Sequence, residues 1–211
     1  MKFAVLGATG ATGQLFTTAA LAAGHEVSAL VRSPEKLPKR PGLTAVVGDA
    51  RDADAVSRTM QGADALVSTI GSGSSRNPNN LIVETTRAIL SAAGQSALRR
   101  IVMQSAFGVG DSYPKASFLM HLGYRLAPKL FIDKAAGEKL LRASDLDWTI
   151  VYPGGLTNKP KTGNVTASDL TEVPRIPGMP RISRADVADF LLHAATHDSW
   201  TRRVTVITTH K

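Results

Sequence analysis

Gly7, Gly10 and Gly13 recur at every third position in Gly7-Ala8-Thr9-Gly10-Ala11-Thr12-Gly13. The run follows the apolar stretch Lys2–Leu6 and opens a small-residue helical pattern, so it reads as a strand-to-helix turn. Each glycine has its own task there. Gly7 allows the sharp turn, Gly10 lets the backbone approach a diphosphate where a Cβ would collide, and Gly13 lets the helix pack closely on the strand. The free amides of the helix start, with Thr9, Ala11 and Thr12 filling the turn, then face the phosphates. A second candidate closes the next apolar run, Val27-Ser28-Ala29-Leu30-Val31-Arg32-Ser33. A site selective for NAD usually places an Asp or Glu at this position to hold the ribose hydroxyls. Arg32 would instead grip a 2′-phosphate through two charge-assisted hydrogen bonds, with Ser33 and Lys36 as further contacts. The expected cofactor is therefore NADP(H).

Short β-branched runs and longer helical patterns alternate along the chain and would hold these residues in place. Strands are expected at Lys2–Leu6, Glu26–Val31, Leu43–Val47, Asp64–Ile70, Arg100–Gln104, Trp148–Tyr152 and Val204–Ile207. Helices are expected at Ala11–Ala23, Asp52–Met60, Asn80–Ala93, Ile132–Ala143 and Arg184–Thr196. This rhythm predicts the α/β class: a Rossmann-type, doubly wound, mostly parallel sheet with helices on both faces, forming a single domain over residues 1–211. Two stretches break the rhythm. Gly71–Asn79 is rich in Gly, Ser and Asn, and Pro153–Pro180 holds Pro153, Pro160, Pro174, Pro177 and Pro180, so it is expected to be mostly irregular. Both follow strands, and ligands of such sheets sit beyond the carboxyl ends of the strands. Residues 107–130 and 153–182 are expected to form a small substrate-side region.

Composition narrows the chemistry. The 211 residues are 43% hydrophobic and include no cysteine, which excludes a disulfide scaffold, a thiolate zinc site and a catalytic thiol. His25, His193, His197 and His210 show no metal-ligand spacing, and no metal is expected. No apolar run is long enough to span a bilayer, and a cytoplasmic location is expected. The net charge of +8 is scattered rather than gathered into a basic run. That argues against nucleic acid and is compatible with a phosphate-bearing small ligand. A monomer or small homo-oligomer is expected.

The G-x-x-G-x-x-G spacing after the first strand resembles the atypical short-chain dehydrogenase/reductases, an NAD(P)H-binding superfamily that includes the NmrA-like regulators. The likeness runs over essentially the whole chain. It implies that the Asp49-Ala50 pair lies against the adenine, although a helix-capping role is an equally simple reading of Asp49. It also implies that Thr69-Ile70-Gly71 runs beside the nicotinamide-side ribose. Many members protonate an oxygen during hydride transfer with a Ser, a Tyr and a Lys, the last two spaced Y-x-x-x-K. Lys134 begins Lys134-Ala135-Ala136-Gly137-Glu138, a segment similar to the superfamily's lysine helix, but Leu130 stands four residues earlier. A leucine cannot transfer a proton, so this departure counts against ordinary alcohol or sugar oxidation. Ser105, in Gln104-Ser105-Ala106-Phe107, falls on the serine position, where a hydroxyl could hold the nicotinamide amide or a substrate carbonyl. Tyr152, with Pro153-Gly154-Gly155 after it, is expected to cover the nicotinamide face. Ser105, Lys134 and Tyr152 are the candidate catalytic residues, and Tyr113 and Tyr124 are available as substitute acids. His121 lies in an apolar stretch that reads as a lid or a packing position, and the Asp145/Asp147 pair reads as a turn.

Several segments together narrow the resemblance to the biliverdin-IXβ reductase/flavin reductase family. They are Leu30-Val31-Arg32 with Lys36-Leu37-Pro38, Val46-Val47-Gly48-Asp49, Ser105-Ala106-Phe107, Glu138–Ser144, Tyr152-Pro153 and Arg181-Ile182-Ser183. That family reduces flavins and biliverdin with NADPH in a shallow pocket over the nicotinamide. Gly155 stands where the family has a histidine, which moves the expectation from biliverdin toward FMN, riboflavin or a quinone. Such chemistry asks the protein chiefly to align two rings, and the proton can come from water. Two other readings are a non-catalytic NADP(H) sensor of the NmrA-like type and a nucleotide-dependent epimerase or dehydratase. The missing tyrosine and the short C-terminal region count against the latter.

Overall fold

The computed structural model describes residues 1–73, 75 and 77–209. Strand β1 (Lys2–Leu6) loses all contact with water from Phe3 to Leu6, as befits a central strand covered on both faces. The chain continues through α1 (Ala11–Ala22), β2 (Glu26–Val31), β3 (Leu43–Val47), α2 (Ala53–Met60), β4 (Ala65–Ser68), α3 (Leu81–Ala93) and β5 (Arg100–Gln104). It then forms α4 (Phe118–Arg125), α5 (Pro128–Arg142), β6 (Asp147–Pro153), β7 (Gly155–Thr157), β8 (Val165–Asp169), β9 (Arg181–Ser183), α6 (Arg184–Thr196) and β10 (Arg203–Thr209).

Eight strands make one sheet in the order β3-β2-β1-β4-β5-β6-β10-β8, with only β8 antiparallel among the described residues. Helices α2, α3 and α5 supply Val56, Met60, Ile89 and Leu141 to the core on one face, and α1 and α6 supply Phe16, Ala20, Val187 and Leu191 to the core on the other. This is the doubly wound Rossmann-type architecture expected from the alternating pattern. The strand order reverses between β1 and β4. The glycine turn leaves the end of β1 and Thr69 leaves the end of β4, so the turn opens at the switch point where such sheets bind ligands.

Three parts differ from expectation. Phe118–Arg125 is a helix; its apolar residues do not fall on one face, since Phe118, Leu119 and Leu122 are exposed while Met120 is buried. Helix α5 begins at Pro128 rather than Ile132, with the proline in its first turn, where a missing N–H costs nothing. The proline-rich stretch holds two strands, because its prolines fall at the ends of strands or between them. Pro153 ends β6, while β7 pairs with β9 in a separate two-stranded sheet and β8 covers the sheet edge beside β10. The connection from β7 to β8 is pinned by Asp186, which accepts from the Thr162 and Gly163 amides at 2.9 Å each. Burial works against the charge of Asp186, yet its bonds to Ser183, Gly163 and Thr162 outweigh that cost and hold its carboxyl below the usual carboxylate range.

The seating of α5 on α3 matters most for function. Asn80, at the start of α3, is left-handed at φ 56° and offers no side-chain cap. Asp133 of α5 caps α3 instead, accepting from Ile82 N–H at 2.9 Å and Val83 N–H at 3.2 Å. One turn on, a Cβ at Gly137 would stand 2.7 Å from Ile82 Cγ2, so only glycine allows the two helices to touch there. Asp133→Ala is expected to cost about 1–3 kcal/mol, since two helix-start amides lose their acceptor. A urea-unfolding midpoint equal to the parent's would show that the cap contributes nothing.

Candidate functional site

The glycine turn is built by packing on one side and left bare on the other. Gly7 sits at φ +87°, and a Cβ there would meet Thr69 Oγ1 at 2.8 Å. Thr69 Oγ1 in turn donates toward the carbonyls of Leu6 and Gly7, and Gln14 closes the turn from α1 with a bond to Thr9 O. A Cβ at Gly13 would lie 2.1 Å from Gly7 O, so Gly13 sets the approach of α1 to β1. At Gly10 the same test finds only Gly7 O, at 3.2 Å. Gly10 has an ordinary extended backbone, so the protein's own packing barely requires a glycine there. The open side of Gly10 is what it spares.

That side is a groove of about 420 Å³ across the ends of β1, β2, β3 and β4. The groove brings together Gly7, Thr9, Gly10, Arg32, Asp49, Ala50, Thr69, Ile70 and Gly71. The segment from Ser72 to Leu81 forms its far wall, including Ser75 and Asn79; Ser74 and Arg76 of the expected 71–79 loop lie outside the described residues. Asp49 turns the chain by accepting from the Arg51 amide at 2.9 Å, while the cap of α2 is Asp52, which accepts from the Asp54 amide at 3.0 Å. The capping alternative for Asp49 is thereby removed. Arg51 also lines the groove, its guanidinium donating to Asn79 O at 3.1 Å. Sequence reasoning missed it, although a second basic residue two positions after Asp49 was a readable signal.

Other expected contacts lie elsewhere. Ala11 is exposed, Thr12 and Gly13 are buried beneath the turn, and Ser33 and Lys36 lie outside the groove. Pro153 and Gly154 are buried, with Gly154 passing so close to Pro180 that a Cβ would stand 2.7 Å from its carbonyl oxygen. The groove residues fit a dinucleotide. Helix α1 has no side-chain cap and no acid in its first turn, so its amides and positive end stay available to a diphosphate. Arg32 is exposed at the groove wall, and the carboxylate on that wall is Asp49, which belongs to the neighbouring strand end.

At the same carboxyl edge, β5 and β6 end in a buried polar cluster. Ser105 Oγ donates to Glu138 Oε1, and Tyr152 OH donates to Glu138 Oε2 at 2.5 Å. Glu138 is 3% exposed and Tyr152 is fully buried, so Tyr152 lies behind the serine rather than over a ligand. Burial pushes the Glu138 carboxyl up, and its bonds from Ser105 and Tyr152 and the charge of Lys134 only partly offset this. Burial also pushes the Tyr152 phenol up, reinforced by the charge and hydrogen bond of Glu138. Lys134, one turn before Glu138, is buried, and desolvation brings its ammonium down against the pull of Glu138 and Asp133. Glu138 was visible in the sequence only as part of a family-like segment, and nothing in its spacing marked it as the hub of this cluster.

Beside the cluster lies a mostly apolar pocket of about 320 Å³ lined by Tyr113, Tyr124, Pro128, Phe131 and Ile132, with Gly108, Gly110 and Arg125 also in its wall. Tyr124 packs on Phe131 with ring centroids 4.3 Å apart and donates to Phe107 O at 2.8 Å. A Cβ at Gly108 would lie within 2 Å of the Tyr124 hydroxyl, so the glycine admits that contact. Burial pushes the Tyr124 hydroxyl up to about 12, with Tyr113 adding to the effect. That value and its carbonyl bond make Tyr124 a poor substitute acid. His121 stacks on Tyr113 and bonds its carbonyl. Gly110 joins pocket and cluster: a Cβ there would stand 3.6 Å from Tyr152 OH and 3.7 Å from Glu138 Oε2. No group of three or more His, Asp or Glu residues able to hold a metal occurs among the described residues; His210 lies outside them. No described helix is long and apolar enough to cross a membrane.

An uncapped glycine turn at the switch point of a doubly wound sheet defines a dinucleotide-binding Rossmann protein. The chain belongs to the NAD(P)H-binding family, whose model matches residues 7–198. Relatives span several labels. The uncharacterised sugar epimerase YhfK of Bacillus subtilis is 31% identical over 80% of this chain and 78% of its own. Oxidoreductase aflX of Aspergillus parasiticus is 26% identical over 95% of this chain and 79% of its own. Among solved structures, the oxidoreductase ylbE of Lactococcus lactis superposes with a TM-score of 0.86 at 21% identity, covering 100% of this chain and 92% of its own. ChuY of Escherichia coli, described as an anaerobilin reductase, superposes with a TM-score of 0.82 at 24% identity, covering 99% of this chain and 97% of its own. A wide-type short-chain dehydrogenase/reductase of Veillonella parvula, solved in complex with NADP, gives 0.80 at 18% identity over 100% of this chain and 96% of its own. At these identities the structural likeness speaks to the fold.

Proposed function

We propose that the protein is an NADPH-dependent reductase of planar acceptors such as FMN, riboflavin or a quinone. The observation that carries this reading is Arg32 at the end of β2, on the wall of the groove that the uncapped α1 opens into. A guanidinium there favours a 2′-phosphate, which a carboxylate would repel. Bound in this groove, the reduced cofactor supplies a hydride. Ser105, at the end of β5, would orient the ring or the acceptor. The aromatic pocket that Gly110 joins to Tyr152 and Glu138 suits a flat, apolar ring system. ChuY and aflX are described as a reductase and an oxidoreductase, which supports the same class. The epimerase label of YhfK weighs less, because Leu130 leaves α5 without the tyrosine that such proton transfers use.

The test is NADPH oxidation measured separately with FMN, riboflavin, a quinone and biliverdin. Acceptor-dependent loss of NADPH is expected with at least one of the first three, and its absence with all four would defeat the reading. Arg32→Ala is expected to weaken NADPH binding by about 10- to 150-fold, the worth of a charge-assisted contact of about 1.5–3 kcal/mol, and to leave NADH affinity near its parent value. An unchanged ratio of the two affinities would remove Arg32 from the argument.

A further inference from the structure

The buried cluster has a hydrogen inventory that depends on one group. With Glu138 ionised, two hydrogens serve its two bonds: the carboxylate can only accept, so the Ser105 and Tyr152 hydroxyls both donate inward to it. Ser105 Oγ then has only lone pairs for anything outside. With Glu138 protonated, three hydrogens serve the same two bonds, and one is surplus. Tyr152 has no exposed surface, whereas Ser105, itself buried, keeps 5% of its surface at the end of β5, so the surplus hydrogen has its outlet on the Ser105 hydroxyl.

We propose that Glu138 is the proton store of the site, turning Ser105 from an acceptor into a proton donor toward a reduced acceptor molecule. The inference rests on the reductase reading and names the residue behind its proton step. Glu138 acts through Ser105 and is a positioning residue in that sense. In the step, the acceptor gains a hydride, one hydrogen nucleus with two electrons, from the dinucleotide, which leaves oxidised. The Ser105 O–H bond breaks toward an oxygen or nitrogen of that acceptor as the proton on Glu138 Oε1 passes to Ser105 Oγ. Glu138 is left as a carboxylate, held by two donated hydrogen bonds, and is reprotonated from water before the next turnover.

The charged and titratable groups that reach Glu138 are consistent with this cycle. Lys134 and Arg142, from its own helix, favour the carboxylate formed at the end of the step. Tyr152 faces it from β6, and Asp111 lies beyond, paired with Arg142 at 2.7 Å. From α3, Thr86 lies close to Gly137, but its hydroxyl is spent on Ile82 O. Burial favours the neutral acid that begins the step, so both protonation states have support from identifiable groups.

Two acceptors separate the proton from the hydride. A neutral quinone needs both, whereas methylene blue, a planar phenothiazinium cation, is neutralised by hydride alone. Glu138→Gln keeps the shape and donates through its amide N–H groups but cannot release a proton. It is expected to lower the ratio of quinone to methylene blue turnover by about 10²- to 10⁴-fold, the usual worth of a positioned proton donor. It should also flatten the alkaline fall of the quinone pH profile. In the cofactor-free protein, the carboxyl carbon of Glu138, followed by NMR, is expected to titrate well above an ordinary glutamate. Equal loss with both acceptors, or titration at the ordinary glutamate pH, would overturn the inference and leave the reductase reading standing. If the parent protein reduces none of FMN, riboflavin, the quinone and biliverdin, the reductase reading itself fails and this one with it. The NMR titration and the parent's pH profile decide the matter even if the variant does not fold.

Discussion

Gly10→Ala should leave the protein folded and abolish dinucleotide binding, while Gly13→Ala should unfold it. The two substitutions add the same methyl group three residues apart on one turn, and their surroundings set them apart. At Gly13 the new Cβ would stand 2.1 Å from Gly7 O and 2.8 Å from Gly7 C. Both are backbone atoms at the end of a fully buried strand, so neither can move aside without dragging β1 or α1. Overpacking of a rigid core costs about 1–3 kcal/mol and more where backbone must shift, a large share of the whole stability of a domain this size. At Gly10 the backbone is extended at φ −75°, ψ 160°, open to any residue, and the nearest protein atom is Gly7 O at 3.2 Å. The stability cost there should stay below about 1 kcal/mol, the difference between a fair and a poor helix cap. The methyl would stand where a diphosphate must approach the bare amides of α1. Thermal unfolding and NADPH fluorescence titration of both variants decide the matter. Tight NADPH binding by Gly10→Ala would mean that the diphosphate does not use this turn.

The sequence was most legible where one residue type answers one backbone requirement. Gly7 and Gly13 could be assigned from spacing because the turn geometry and helix contact that need them are local, and the place of Arg32 on the groove could be anticipated because the end of β2 opens beside the switch point. The buried strands were legible for a related reason: unbroken apolar runs have only one place to go in a doubly wound sheet. Glu138 was illegible because its role depends on β5 and β6 arriving on either side of it, at sequence distances of 33 and 14 residues. Asp133 as the cap of α3 was hidden in the same way, since a cap borrowed from another helix leaves no mark beside the helix it serves. Helix α4 escaped because its exposed Phe118, Leu119 and Leu122 spoil the one-faced pattern by which helices are recognised.

Lys134→Met should raise stability at neutral pH and lower turnover, two effects of opposite sign from one side chain. Lys134 is buried, and desolvation brings its ammonium below the ordinary lysine value. Its carboxylate neighbours are committed elsewhere: Asp133 to the amides of α3, Glu138 to Ser105 and Tyr152. A group whose folded value is depressed contributes stability above its unfolded value, near 10.5, and loses it as pH falls through the lowered one. Below that unfolded value the native protein therefore carries a cost for Lys134, whether it is charged in place or held neutral, that a methionine of similar shape does not. Lys134 makes no ion pair among the described residues, so removing it relieves an unpaired buried charge, and the variant should gain about 1–2 kcal/mol. Turnover should move the other way, by about 10²-fold or more, because the ammonium favours the Glu138 carboxylate on which the proton step ends. Without Lys134 the Glu138 carboxyl rises further, and the alkaline limb of the quinone pH profile should shift upward with it. Unfolding curves at several pH values and the profile of kcat/KM test both halves. A variant less stable than the parent at neutral pH would show that Lys134 is there to hold the fold. A more stable but slower one would show that the fold tolerates the buried charge for the sake of the reaction.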